Sequence, residues 1–230
     1  METPGLFIVG TNTDVGKTHV AAMIARELVA AGRRVGIYKP AASGCRQVDH
    51  QLIAEDAQAL WEAAGRPLTL EQVCPQRFLA PLAPPRAAAA EGRTMDEALL
   101  RSGLQPWLAA SDVVLVEGAG GLMSPLGEAT FNADLAAEFA VPLVIVAANE
   151  LGVINQVLQT VITARARAPH APVAGIVLNQ VSPRPDDASL ATNAAEIAER
   201  CDAPLLACVS HGEREFATSV DWFALANPKS

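Results

Sequence analysis

The chain predicts a single α/β domain: a mostly parallel central sheet of about six or seven strands with helices on both faces. Three observations carry this. Short apolar runs alternate with longer segments of helical period. The runs are apolar at successive positions rather than at every second one, as strands covered on both faces are. Half of the 230 residues are hydrophobic, enough to fill a core on both sides of a sheet.

The strand candidates are Leu6–Val9, Val35–Lys39, Val113–Val116, Leu143–Ala147, Gly175–Leu178 and Leu205–Val209. The first helix should run from Lys17 to about Ala31, with Val20, Met23, Ile24 and Leu28 on one face and Gly32 at its C-terminal end. Further helical patterns cover about 52–64, 94–109, 132–140, 153–167 and 187–200. Pro81-Leu82-Ala83-Pro84-Pro85 is too rich in proline for a helix and reads as an ordered loop beside the site. Ser182 to Asp187 reads as a second loop, with Asp186 or Asp187 capping the next helix. The segment after His211 has weak periodicity and predicts no element. Strand–helix alternation implies right-handed crossovers, and ligands of such sheets bind beyond the carboxyl ends of the strands.

Composition removes several classes of function. The net charge is −8 and no basic run stands out, which argues against nucleic acid as a partner. No apolar stretch approaches the ~20 residues of a membrane span, and no signal-peptide pattern precedes Leu6. Cys45, Cys74, Cys201 and Cys208 contain no C-x-x-C pair; they read as buried, reduced thiols, so a cytoplasmic location is expected.

Chemistry concentrates at the ends of the apolar runs. Residues 10–18 read Gly-Thr-Asn-Thr-Asp-Val-Gly-Lys-Thr after the first strand. Backbone N–H groups of such a loop cradle phosphate oxygens at a helix N-terminus. Lys17 can reach the outer phosphates, and Thr18 is placed to ligate magnesium. The domain is therefore expected to be of the P-loop NTPase type and to bind a nucleoside triphosphate. Five residues separate Gly10 from Gly16, where the usual pattern has four. The second strand ends Tyr38-Lys39-Pro40-Ala41-Ala42-Ser43-Gly44, so Lys39 faces the same crevice. Two ammonium groups there suit a transferring phosphoryl group. The third ends Val116-Glu117-Gly118-Ala119-Gly120-Gly121, an aliphatic strand closed by an acid in the manner of a Walker B strand. Its glycines let the backbone approach a ligand. Asp56, early in a helix, joins Thr18 and Glu117 as a candidate oxygen ligand. Asn179, ending the fifth strand, is either a cap or a reader of a base edge. The turn at Gly152 offers free N–H groups to a carboxylate or is a plain connection.

Together these motifs resemble the dethiobiotin synthetase family. The resemblance rests on Gly10–Thr18, Tyr38–Gly44, Glu55-Asp56, Val116–Gly121 and Leu151-Gly-Val-Ile-Asn155, with weaker echoes in Phe78…Pro81…Pro84, Glu91-Gly-Arg93 and Asn179. They occur in family order from residue 6 to about 209, and the longer P-loop is the family's own form. Asp14, Asn12 and Pro85 stand where Glu, Asp and His are common in the family.

The resemblance implies a homodimer acting on 7,8-diaminononanoate, CO2 and MgATP. One amine captures CO2 as a carbamate, ATP phosphorylates it, and the second amine closes the cyclic urea. Lys17, Lys39 and Thr13 would form the catalytic set. Asn12, Thr13, Asp14, Val15, Gly16, Lys17, Thr18, Glu117, Gly118, Gly120 and Asn179 would bind the nucleotide, Asn179 by its adenine. Ser43 and Gly120, with Gly152, Val153 and Asn155 of the partner subunit, would bind the diamine. Thr18, Asp56 and Glu117 would hold magnesium. The rival class is a dimeric P-loop ATPase switch, but such proteins normally carry an additional lysine near the start of the loop, and Thr11 to Val15 contains none.

Overall fold

The computed structural model describes residues 3–227. Six strands, β1 (Gly5–Gly10), β2 (Val35–Tyr38), β3 (Val113–Gly121), β4 (Leu143–Ala148), β5 (Val173–Asn179) and β6 (Leu205–Val209), form one sheet. Their order is β6-β5-β4-β1-β3-β2, with every neighbouring pair parallel. The expected sheet is thus wholly parallel. All six residues of β1 are buried, which requires cover on both faces.

The chain leaves β1 to build β2 and β3 on one side, then crosses to β4 on the other. The carboxyl end of β1 is therefore a topological switch point, where open α/β sheets bind ligands. Helix α1 (Lys17–Ala30) follows β1 directly and buries Val20, Met23, Ile24 and Leu28. It closes as anticipated: Gly32, at φ +77°, donates to Val29 O and Arg33 donates to Leu28 O, the paired bonds of a Schellman stop.

Helices α2 (Glu55–Ala63), α3 (Pro84–Ala90), α4 (Asn132–Phe139), α5 (Val153–Arg167) and α6 (Asn193–Arg200) complete the longer elements. Several expectations change. The 94–109 pattern is two short helices, Leu99–Ser102 and Gln105–Ala110. Pro106 opens the second, and Gly103 admits the Tyr38 hydroxyl, which donates to Leu99 O at 2.8 Å. Pro84 and Pro85 start a helix rather than ending a loop, because the first turn has no use for their missing N–H. The 187–200 pattern splits into a 3₁₀ turn, Ala188–Ala191, and α6; Asp187 caps the turn by accepting from Ser189 N.

Two small pairings carried no clear signal in sequence. Ala41–Ala42 pairs with Gln76–Arg77, and Arg46–Val48 forms a hairpin with Gln51–Ile53. The hairpin turns through Asp49 and His50, both at positive φ, where Asn-Gly or Asp-Gly is the usual signature. The segment after His211 ends in a helix, Trp222–Ala226, docked on α1: Trp222 is buried and its Nε1 donates to Glu27 Oε2 at 2.7 Å. Cys45, Cys74 and Cys201 are buried free thiols as expected, whereas Cys208 is exposed. No helix among the described residues is long and apolar enough to cross a membrane.

Candidate active site

At the carboxyl ends of β1, β2 and β3 lies a crevice of about 410 Å3, lined by the glycine loop, Lys39, Ser43, Asp56, Ala119, Gly120 and Val181. β2 stops directly before Lys39 and Glu117 lies within β3; both residues are buried, at 3% and 1% exposure. Thr13, Asp14, Gly16, Lys17 and Thr18 all reach the crevice.

The loop is held from within. Asp14 and Gly16 adopt positive φ, 57° and 86°. Lys17 Nζ folds back to donate to Asn12 O at 3.2 Å, and Thr13 N donates to Asn12 Oδ1 at 2.8 Å. A side chain at Gly16 would be strained at φ +86°, and its Cβ, 2.0 Å from Asn179 Nδ2, would displace that amide. That buried amide donates to Val15 O at 3.0 Å, so Asn179 braces the loop from below. Val15 contributes its carbonyl and packs its side chain in the core.

Glu117 is the hub of the charged groups. Its Oε1 accepts from Lys39 Nζ at 2.5 Å and from Thr18 Oγ1 at 2.9 Å. Lys39, only 3% exposed, also lies 3.2 Å from Asp56 Oδ2. Burial works against the charge on Lys39, but Glu117 and Asp56 outweigh it and hold the ammonium above the usual lysine range. Lys39 in turn holds the Asp56 carboxyl below the usual carboxylate range, against the opposing effect of partial burial. Lys17 behaves oppositely: burial pulls it below the lysine range although Glu117 opposes this. One crevice thus holds two ammonium groups of different acidity.

Glu117 Oε2 is buried and has no hydrogen-bond partner. A lone carboxylate oxygen in a dry site is costly, and a divalent cation would satisfy it. Thr18, Asp56 and Glu117 are hard oxygen donors of the kind magnesium prefers. Among the described residues no cluster of three or more His, Cys, Asp or Glu forms a cage. Magnesium is commonly held by one or two carboxylates plus substrate phosphates and water, so this donor set fits it.

Some expected site residues lie elsewhere. Asn12 lines a separate hollow of about 260 Å3 with Thr11, Ser124 and Gln159. Gly118 does not line the crevice; its Cβ would lie 2.4 Å from Asn132 Oδ1, so its bareness admits a buried side chain rather than a ligand. Gly152, at φ +97°, caps α5, with Val153 fully buried and Asn155 exposed; none of the three lines the crevice of its own chain. Ala42, Ala119 and Val181, which do line it, carry no chemical signal in sequence. The proline segment does not line the crevice; Ala80, just before it, accepts from Gly44 N at 3.1 Å, next to crevice-lining Ser43.

Comparison with known proteins agrees with this architecture. The family model described as an AAA domain matches residues 4–214. The ATP-dependent dethiobiotin synthetase of Rhodopirellula baltica is 42% identical over 214 residues, covering 88% of this chain and 82% of that protein. Its counterpart in Anaeromyxobacter dehalogenans (strain 2CP-C) is 44% identical over 194 residues, or 84% of each. Among solved structures, the signal recognition particle receptor FtsY of Elizabethkingia anophelis aligns with a TM-score of 0.53 at 16% identity. It matches 98% of this chain, which spans only 65% of that receptor, and the likeness carries the fold alone. By sequence, the chain belongs to the ATP-dependent dethiobiotin synthetase family.

Proposed function

We propose that this chain is an ATP- and magnesium-dependent cyclo-ligase that converts 7,8-diaminononanoate and CO2 into dethiobiotin, in biotin biosynthesis. The observation that carries the reading is the convergence of Lys17, Lys39, Thr18 and Asp56 on one crevice of the glycine loop, with buried Glu117 bonded to Thr18 and Lys39, in a chain of this family.

The reaction sets anion against anion. One amine of the diamine adds to CO2 and loses a proton, giving a carbamate. A carbamate oxygen then attacks the γ-phosphorus as its bond to the β-bridging oxygen breaks, and ADP leaves. The second amine attacks the carbonyl of the resulting anhydride and gives up a proton; phosphate departs and the cyclic urea closes. The chain's task is therefore positioning and charge compensation, as in other phosphoryl transfers.

Lys17 and Lys39 offset the carbamate and the transferring phosphoryl group, while Thr13 and Ser43 hydrogen-bond the reacting end of the diamine. The loop N–H groups of 13–18 cradle the phosphates, and Gly120 lies against the reacting end of the diamine. Asn179 braces the loop and reads the adenine. Thr18, Asp56 and Glu117 would hold magnesium, which when bound supplies compensation of phosphate charge. No covalent enzyme nucleophile is required.

The active form is a homodimer in which Gly152, Val153 and Asn155 of one subunit receive the carboxylate of a diamine bound to the other. Leu151, just before Gly152, is 81% exposed, which supports a second copy covering it. Three buried free cysteines support a reducing, cytoplasmic setting.

The test is phosphate release from MgATP and bicarbonate with and without 7,8-diaminononanoate, with dethiobiotin followed by mass spectrometry. Diamine-dependent release with matching product is expected. ATP turnover indifferent to the diamine would overturn the reading in favour of a switch ATPase.

A further inference from the structure

Beneath the glycine-rich end of β3 lies a polar side chain that the reaction scheme above does not use. Asn132, the first residue of α4, is fully buried. Its Nδ2 donates to Ala119 O at 2.7 Å and to Gly121 O at 2.8 Å, with a longer approach to Ser124 O at 3.4 Å. Its Oδ1 accepts from Ala119 N at 3.2 Å. One amide therefore grips the backbone on both sides of Gly120.

The folding of residues 122–131 makes this possible. Leu126 N donates to Thr130 O, Asn132 N to Ser124 O and Ala133 N to Leu122 O, which staples the first turn of α4 onto the loop. Gly118 is bare so that Oδ1 can enter, and Gly121 N is held by Ser124 Oγ at 2.9 Å. Gly120, at φ +71°, is the residue these bonds leave facing outward. A Cβ there would come 3.4 Å from Thr13 Oγ1, so Gly120 stands opposite the hydroxyl assigned to the reacting end of the diamine.

We propose that Asn132 is a positioning residue of the ligase reaction: its buried amide fixes Ala119 and Gly120 at the wall of the crevice, opposite Thr13. The inference rests on the ligase reading. Asn132 makes no hydrogen bond to the glycine loop of β1, so its loss should spare nucleotide binding and impair turnover. Displacements on the order of 1 Å at a reacting site cost roughly a hundredfold in rate.

The experiment uses Asn132→Asp and Asn132→Ser. The aspartate keeps the acceptor for Ala119 N but presents a second acceptor to the carbonyls; protonation returns one donor. All the groups bonded to the side chain are backbone groups. The ionisable residue on the same helical turn, Asp134, is engaged by Phe131 N and Arg167. For both variants, MgATP affinity should stay within about threefold of wild type and kcat should fall about a hundredfold. The Asn132→Asp variant should regain activity toward acid pH relative to wild type at each pH, a signature that lost packing would not give. Near-normal kcat in both variants, or an Asn132→Asp profile parallel to that of wild type, overturns the inference. A fall in kcat matched by an equal fall in MgATP affinity also overturns it. Wild-type enzyme without diamine-dependent turnover would instead refute the ligase reading itself.

Discussion

Replacing Lys39 by methionine separates two roles of its ammonium group, one in folding and one in turnover. Lys39 and Glu117 are 3% and 2% exposed in their side chains, and Glu117 Oε2 already has no partner. Without Lys39, the buried carboxylate keeps only the Thr18 hydroxyl on Oε1. Removing one member of a buried ion pair costs about 3–5 kcal/mol. At about 2–4 °C per kcal/mol for a chain of this length, the melting temperature should fall by about 6–20 °C. Turnover should fall about 10²–10³-fold, the usual cost of one preorganised charge-stabilising group. The double variant Lys39→Met, Glu117→Gln carries no orphaned charge and should recover most of the stability but none of the activity. Thermal denaturation and diamine-dependent phosphate release, measured on wild type, both single variants and the double variant, give the full cycle. A Lys39→Met protein that melts like wild type would refute the buried-pair argument. A double variant that regains turnover would refute the role of the ammonium group in catalysis.

The other expectations can be checked separately. Lys17, held below the lysine range by burial, should give kcat/KM an alkaline limb below the usual lysine value; Lys17→Arg, which stays charged, should remove that limb, and a limb unmoved by it would belong to another group. Lys39, held above the lysine range, contributes stability that is complete below its unfolded value of about 10.4 and is lost as pH rises through the folded one, so alkaline melts of wild type should lose stability that Lys39→Met does not. Asp56, held low by Lys39, contributes above its unfolded value and loses that contribution as pH falls through the folded one; Asp56→Ala should chiefly raise the magnesium requirement, and an unchanged magnesium titration would remove it from the metal site. Trp222→Ala empties a buried site at the docked C-terminal helix and should cost about 3–5 kcal/mol with kcat unchanged below the melting range; a matching loss of kcat would tie that helix to the crevice. Asn155→Ala should weaken diamine binding more than MgATP binding, and the opposite order would contradict the carboxylate assignment.

How much of this was legible in the sequence depended on the range of the interaction. The strands were plain because a buried parallel strand must be apolar at every position, a constraint written within four to nine residues. The end of α1 was plain because a Schellman stop is local to Leu28–Arg33. The breaks at Gly103 and the helix opened by Pro84 were misread because proline has opposite meanings at a helix start and in its interior. The convergence of Thr18, Lys39, Asp56 and Glu117 was legible because Thr18 and Asp56 open helices, Lys39 follows a strand and Glu117 ends the apolar run of β3, although that strand continues to Gly121. Their pairing, with Lys39 and Thr18 sharing one oxygen of Glu117, was not.

The glycines show the limit most directly. A glycine pattern marks positions where a Cβ is intolerable and leaves unsaid what the Cβ would strike. At Gly16 the obstacle is the Asn179 amide, at Gly118 it is the Asn132 amide, and at Gly120 it is the Ser124 hydroxyl. Gly118 and Gly120, read as letting the backbone approach a ligand, and Gly16 of the loop make room first for buried or half-buried polar side chains. Both amides then bond the loop backbone, Asn179 at Val15 and Asn132 around Gly120. A loop of such glycines would otherwise lose the most conformational entropy on ordering. The amides hold it in one shape before any nucleotide arrives, with part of its ordering cost already met in folding rather than in binding. Asn179 and Asn132 lie 163 and 14 residues beyond Gly16 and Gly118 in the sequence, and no motif spanning either loop contains its brace.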